Sequence, residues 1–296
     1  MCLSGVALFC LLLLKSVESE NSIEQRGRVT AELQRRFLAR GVLLLHGGQR
    51  YSWERWEEAL ELSKFLIARN IPVRTLNAME TDLSQPQFHN HLAFLLSDES
   101  TLVHHVLSKK VSGTVWLAFL RPGQTIEELL AGAYVRLDVE FLLAQSMAWG
   151  VRLHEAYHVV QGSPLRAQLF GELRGQLFTA SALSAFYRRG SLGGQVIKAA
   201  SIDRSSLVWV NEDKTIGGFY GRIWAGVEKH LNFTTEVIVP ATGMWGYKME
   251  NGTWAGVVGM VTRREAEVGV CDIAIKEDRV GVISYTMPVA TFQCVI

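Results

Sequence analysis

From Val29 to Leu143, apolar residues recur first at helical and then at strand spacing, over and over, and this alternation restricts the folds open to the chain. Val29, Leu33 and Phe37 mark one face of a helix. Gly41 then opens a compact strand, Val42-Leu43-Leu44-Leu45. Ser52 can cap a second helix, with Glu54 in its first turn and Trp56, Leu60, Ser63 and Ile67 along one stripe. Asn70 ends that helix and Ile71-Pro72-Val73 begins another extended piece. Thr114 to Leu120 reads as a strand and Ile126 to Ala131 as a short helix. Val135, Leu137, Val139, Phe141 and Leu143 alternate with Arg136, Asp138 and Glu140, the pattern of a strand with one wet face. Strands and helices in this succession predict an α/β domain, ending near Gly162-Ser163-Pro164.

Gly5 to Leu14 is an apolar run too short to span a bilayer but suited to the core of a signal peptide, with Val17 and Ser19 as small residues for cleavage. The expected organisation is therefore a leader over 1–19, an N-terminal α/β domain over 20–162, a Gly-, Ser- and Arg-rich connection over 163–194, and a second domain over 195–296. Gly190-Ser191-Leu192-Gly193-Gly194 reads as the linker proper, and Val196 to Ala200 as the first strand beyond it. No stretch of eighteen apolar residues occurs. A net charge of +1 argues against a nucleic-acid partner. Asn232-Phe233-Thr234 and Asn251-Gly252-Thr253 are glycosylation acceptor sequences, in keeping with secretion. Cys271 and Cys294 fall on neighbouring apolar strands and read as buried thiols, with a disulfide as the alternative.

Three motifs suggest chemistry and are better explained by structure. His154-Glu155-Ala156-Tyr157-His158 has the H-E-x-x-H spacing of a zinc site. Val151, Leu153, Tyr157 and Val159 also alternate there as in a strand, which would hold the histidines about 13 Å apart. Glu172 is the nearest candidate third ligand, and nothing recommends it. His46-Gly47-Gly48 after an apolar strand has the form of an esterase oxyanion loop, but no G-x-S-x-G elbow accompanies it. Asn251-Gly252 is a hairpin-type turn, and Gly252, Gly256 and Gly259 suit turns and close packing rather than a phosphate loop. No metal site, cofactor or enzymatic activity is expected.

The stretch from Ala266 to Pro288 says most about function. Val268, Val270, Ile273 and Ile275 predict a strand, Lys276-Glu277-Asp278-Arg279 a charged turn, and Val282 to Tyr285 a second strand stopped by Pro288. An Arg at the lip of such a turn either makes a structural ion pair or grips a carboxylate with its planar fork. Upstream, Gly218-Phe219-Tyr220-Gly221 with Ile223, Trp224, Val227 and Leu231 reads as a helix, leaving through Asn232-Phe233-Thr234. Gly243-Met244-Trp245-Gly246 and Trp254-Ala255-Gly256-Val257-Val258-Gly259 follow. In this order, from Gly194 to Ile296, these landmarks resemble the first half of the ligand-binding domain of ionotropic glutamate receptors. The wording is most similar to the insect antennal, chemosensory branch.

The resemblance implies an incomplete periplasmic-binding-protein-like lobe in a subunit of a ligand-gated cation channel. The full-length form would sit in the cell membrane beside other receptor subunits, including a co-receptor. Arg279 would clamp the carboxylate of a small ligand, with Trp245 as a cleft wall or a core residue. The family's Pro-Leu-Thr before the Arg is here Asp272-Ile273-Ala274, so a methyl replaces the hydroxyl that helps hold an amino acid, and a simple carboxylic acid is the expected ligand. Pore segments and a second lobe would be expected beyond Ile296, so the chain reads as a partial product. Two rivals are a secreted small-molecule binding protein and, less favoured, a secreted zinc hydrolase.

Overall fold

The computed structural model describes residues 23–47, 53–96, 100–109, 113–203 and 206–289. The expected leader, the Ser52 cap, Gly48 and Cys294 lie outside them. The chain divides into unit 1, Met1–Ala185, and unit 2, Phe186–Ile296, both of the mixed α/β class expected.

Unit 1 is built on one eight-stranded sheet. Its strands are β1 (Val42–His46), β2 (Val73–Asn77), β3 (Leu92–Leu95), β4 (Val115–Phe119), β5 (Glu140–Met147), β6 (Gly150–Tyr157), β7 (Arg166–Arg174) and β8 (Leu177–Ala180), in the order β2-β1-β3-β4-β5-β6-β7-β8. From β2 to β5 neighbours run parallel; β6, β7 and β8 continue antiparallel. The inner strands of a parallel sheet are covered on both faces, and β3 and β4 are accordingly apolar and buried at every position, whereas the edge strand β2 carries Arg74, Thr75 and Asn77. Helix α1 (23–36) and α2 (Trp53–Ile67) cover one face, where Val29, Leu33, Leu62 and Leu66 meet Leu44, Phe94 and Leu117. Helix α3 (Ser100–Ser108) and the short α4 (Ile126–Leu129) cover the other, with Leu102, Val106 and Leu129 on Leu43, Leu45 and Trp116. A capping box between Thr125 and Glu128 starts α4.

Three expectations for unit 1 need correction. The Val135–Leu143 alternation becomes a strand only at Glu140, because earlier residues bond to the chain after β6: His158 N–H donates to Val135 O (2.7 Å) and Val135 N–H to His158 Nδ1 (3.2 Å). Residues 163–194 are not one connection. Their first part is β7 and β8, paired to β6, and Gly190–Gly194 is tied into unit 2 by Leu192 N–H to Leu231 O (2.6 Å) and Gly194 N–H to Asn232 O (2.7 Å). On α2, the side facing the sheet is Ala59, Leu62 and Leu66, while Trp56, Leu60 and Ile67 are exposed.

Unit 2 has a three-stranded parallel sheet, β12-β9-β13, from β9 (Gln195–Ala200), β12 (Phe233–Ile238) and β13 (Val268–Gly269), and a small hairpin of β10 (Val208–Val210) and β11 (Ile216–Gly217). Helix α6 (Gly218–Leu231) takes in the Gly218-to-Leu231 pattern and ends on Asn232, whose left-handed φ of 52° caps it. Helix α7 (Gly256–Thr262) begins where the Trp-x-Gly-x-x-Gly pattern places it and buries Val257, Val258 and Met260. Label α5 denotes Ala185–Arg188 and α8 denotes Glu277–Val280.

Candidate functional site

Strand β13 delivers the chain from the sheet into the loop that carries the candidate residues. Val270 N–H continues the ladder to Ala200 O (2.9 Å), and the buried Ser201 hydroxyl donates to Val270 O (2.8 Å), which fixes where Cys271 and Asp272 begin. The charged turn expected at Lys276–Arg279 is the helical turn α8. The second strand expected at Val282–Tyr285 does not form. The N–H groups of Val282 and Ile283 both bond to Arg279 O (3.0 Å each), which extends the helical turn and takes these two donors from a ladder.

Arg279 does not sit at an exposed lip. It lies on α8 itself and is buried, at 7 % relative exposure. Its guanidinium donates from Nη1 to Ala274 O (3.1 Å) and from Nη2 to Gly246 O (2.8 Å), while Nε is buried without a partner. Among the described residues it forms no ion pair. A guanidinium has five N–H donors, and backbone oxygens leave its positive charge uncompensated.

A second loop, 243–255, lies against Arg279 through the Gly246 carbonyl. Val257 N–H and Val258 N–H bond back to Met244 O (3.1 Å) and Trp245 O (3.0 Å), folding this loop against the start of α7. Two glycines permit the approach. A Cβ on Gly256 (φ 67°) would stand 2.4 Å from Met244 O, and one on Gly246 would meet Val258 at 2.6 Å. The Gly246 carbonyl is thereby available to Arg279. The half-buried Trp245 donates its indole N–H to Asp272 Oδ1 (2.7 Å), so it joins a polar contact instead of serving as core alone. Asn251-Gly252 forms the expected turn: Gly252 (φ 81°) donates to Met249 O (2.9 Å), and Lys248 bridges Trp254.

Arg279, Trp245, Ala274 and Asp272 are thus brought together, Ala274 through its carbonyl. Electrostatics place further groups among them. Burial pushes the Cys271 thiol up to about 12, with Asp272 adding to the rise and Arg279 opposing it. Burial also raises the Tyr220 hydroxyl above its ordinary value, helped by Asp272 and Cys271. Tyr285 Oη–H donates to Ala274 O (3.1 Å). Tyr220, Tyr285 and the Gly246 carbonyl were not picked out from the sequence as site groups. Glycine beside an aromatic residue was the available signal for Gly246, and nothing in periodicity marks a carbonyl. Cys271 is buried and free.

The remaining motifs lie elsewhere. His154 and Glu155 are on β6, in the extended conformation that separates His154 from His158. Glu155 is fully buried and accepts from Gln168 Nε2, whereas burial lowers the imidazole of His154. Glu172 pairs with Arg152 and Arg174. His46 ends β1 beside the Trp56 ring, at 5.9 Å. Asn232 and Asn251 are both exposed.

Residues 203–296 match the family described as "Ligated ion channel L-glutamate- and glycine-binding site". This segment is similar to the ligand-binding domain of ionotropic glutamate receptors. The human "Glutamate receptor ionotropic, delta-2" is 27% identical over 101 residues, covering 32% of this chain and 10% of that protein. A "Probable glutamate receptor" of Anas platyrhynchos is 34% identical over 58 residues, 20% of this chain and 12% of that protein. Among solved structures, the "Mnemiopsis leidyi ML032222a iGluR LBD D-serine complex" aligns over 33% of this chain and 42% of that one, with 18% identity and a TM-score of 0.31. The chain spans about a tenth of the length of these curated receptors. They are membrane receptors and channels rather than enzymes, and no helix among the described residues here is long and apolar enough to cross a membrane.

Proposed function

We propose that this chain is part of the extracellular portion of a chemosensory, ligand-gated cation channel subunit of the antennal type, and that unit 2 binds a small carboxylic acid through Arg279. One observation carries the reading: a buried guanidinium within the receptor-like segment, held on two backbone carbonyls and unpaired with any described acid. Such a group is oriented yet not neutralised, and its unspent donors suit a carboxylate's two oxygens. Trp245 and Asp272 form the adjoining wall. Ala274 offers a methyl where an amino-acid site would use a hydroxyl, which favours acids without an α-amino group. Ligand binding would be communicated to the pore of the full-length subunit by closure of a two-lobed domain, together with partner subunits that include a co-receptor. Asn232 and Asn251 would carry glycans facing solvent.

Isothermal titration of the purified chain with butyrate, glycine and glutamate tests this. Butyrate is expected to bind best. Arg279→Ala should weaken it by at least about tenfold, the scale of one lost charge-assisted pair, and Arg279→Lys should not restore it, since the bidentate fork is gone. Equal butyrate affinity in Arg279→Ala, or binding of glycine in preference to butyrate, would overturn the assignment.

A further inference from the structure

A cleft of about 260 Å³ opens in unit 1 just beyond the carboxyl end of β4, between the loop into α4 and strand β5. Leu120, Gln124, Thr125, Ile126, Glu127 and Gln145 line it. At the roughly 30 Å³ that each water occupies in the liquid, it has room for a molecule of under about ten heavy atoms. Loops at this end of an open α/β sheet are the ones that reach ligands.

Local hydrogen bonds decide what charge the cleft can receive. Thr125 Oγ1 accepts from Glu128 N–H (3.1 Å) and Glu128 Oε2 from Thr125 N–H (3.0 Å), so the capping box satisfies itself. Gln124 Oε1 is taken by Arg121 N–H (3.0 Å). Arg152, opposite Gln145 in the β5–β6 ladder, donates to Glu172 (3.1 Å). Two acceptors are left over. Among the described residues, neither the Glu127 carboxylate nor the half-buried Gln145 carboxamide has a hydrogen-bond or ion-pair partner. The charge of Glu127 also reaches across to β6. Burial, and then Arg152, hold the His154 imidazole below its ordinary value, and Glu127 opposes them.

We propose that this cleft binds a small aliphatic primary amine, with its ammonium on Glu127 and Gln145 Oε1 and its chain on Leu120 and Ile126. An ammonium brings three N–H donors and a positive charge to these acceptors. An anion would instead meet Glu127, which carries the one formal charge on the lining. The site lies in unit 1 and stands whatever unit 2 binds.

Titration of the nitrogen-15-labelled full chain with n-butylamine tests it, at about pH 8, where an alkylammonium keeps its proton. The side-chain carboxamide signals of Gln124 and Gln145 report on the site. They should move together with a dissociation constant of roughly 1 mM, the range open to so small a ligand. n-Butanol, which has the same shape and no charge, should bind at least about fivefold more weakly. Glu127→Gln should cost the amine about the same factor, the scale of a solvent-accessible ion pair. Glu127 is exposed, so the backbone amide spectrum of that variant should otherwise be unchanged. Carboxamide signals that stay fixed at about ten times that amine concentration overturn the proposal. Equal affinity in Glu127→Gln, or butanol binding as tightly as the amine, overturns it as well.

Discussion

In unit 1, parallel strands are clamped between two helical layers, and the side chains that hold them are buried and mostly Leu, Val, Phe and Ala. In unit 2, three short strands carry a much smaller core of Ala200, Ile202, Val208, Val257, Met260, Ala266 and Cys271, and the candidate site hangs from loops fixed by glycine contacts and carbonyl acceptors. The first arrangement tolerates no loss of volume; the second tolerates no added atom. Rigidity from packing and rigidity from close backbone approach thus fail to opposite substitutions, and the two units can be told apart by that criterion.

Leu44→Ala should have the largest effect. Leu44 is fully buried on β1, the strand on which β2 and β3 both pair, so truncation leaves a cavity between sheet and helices. A loss of about 2–5 kcal/mol is expected. Differential scanning calorimetry should show unit 1's transition falling while the transition of unit 2 stays in place. A single transition moving as a whole would show that the units unfold together and would break the comparison.

Gly256→Ala is the matching test in unit 2. The added methyl meets Met244 O at 2.4 Å, with φ at 67°, so loop 243–255 must shift and carry the Gly246 carbonyl away from Arg279. A cost of about 2–4 kcal/mol is expected in unit 2. Gly252→Ala sharpens the point: its φ is 81° but nothing lies within 4 Å, so only the backbone term of about 1 kcal/mol remains. Equal costs at the two positions would remove close approach as the explanation.

These two substitutions also show what could be read in advance. Strands β1 and β4 were legible because a doubly covered strand must be apolar throughout, and no other local structure suits so short a run. Helix α2 was legible as a helix but not in its orientation: with two apolar stripes, sequence cannot say which one the sheet takes, and the shorter side chain of Ala59 lies on the side that packs close. Strands β7 and β8 were missed because at the antiparallel end apolar residues do not all turn inward: on β7 Ala167 and Leu169 are exposed while Phe170 and Leu173 are buried, and Gly171 takes Ala180 against its backbone. In unit 2, α6 and the start of α7 followed from the receptor-like landmarks, whereas β10, β11, the helical turn α8 and the way Arg279 is held did not. Its partners are main-chain oxygens of Ala274 and Gly246, and a carbonyl has no side-chain identity to read.

Cys271 gives the smallest effect and the most direct probe of the site's interior. Its thiol is pushed from the ordinary 9.0 up to about 12, by burial first and by Asp272 second. Burial penalises the thiolate, so the folded state keeps its proton at pH values where the unfolded chain has released it. Below pH 9 both states are protonated and the full stability is present. Between 9 and about 12 the unfolded state binds fewer protons, and stability falls by up to about 1.4 kcal/mol per pH unit. Tyr220, also raised by burial, adds a loss of the same sign above its ordinary 10.0. The informative quantity is therefore the difference between the wild-type chain and Cys271→Ala, which has no thiol to ionise, in urea unfolding followed at pH 8, 9 and 10. The wild type should lose more stability over that range, with most of the excess between pH 9 and 10. If both chains lose the same amount, the thiol is as well solvated folded as unfolded, and the interior beside Asp272 and Arg279 is wet rather than closed by packing.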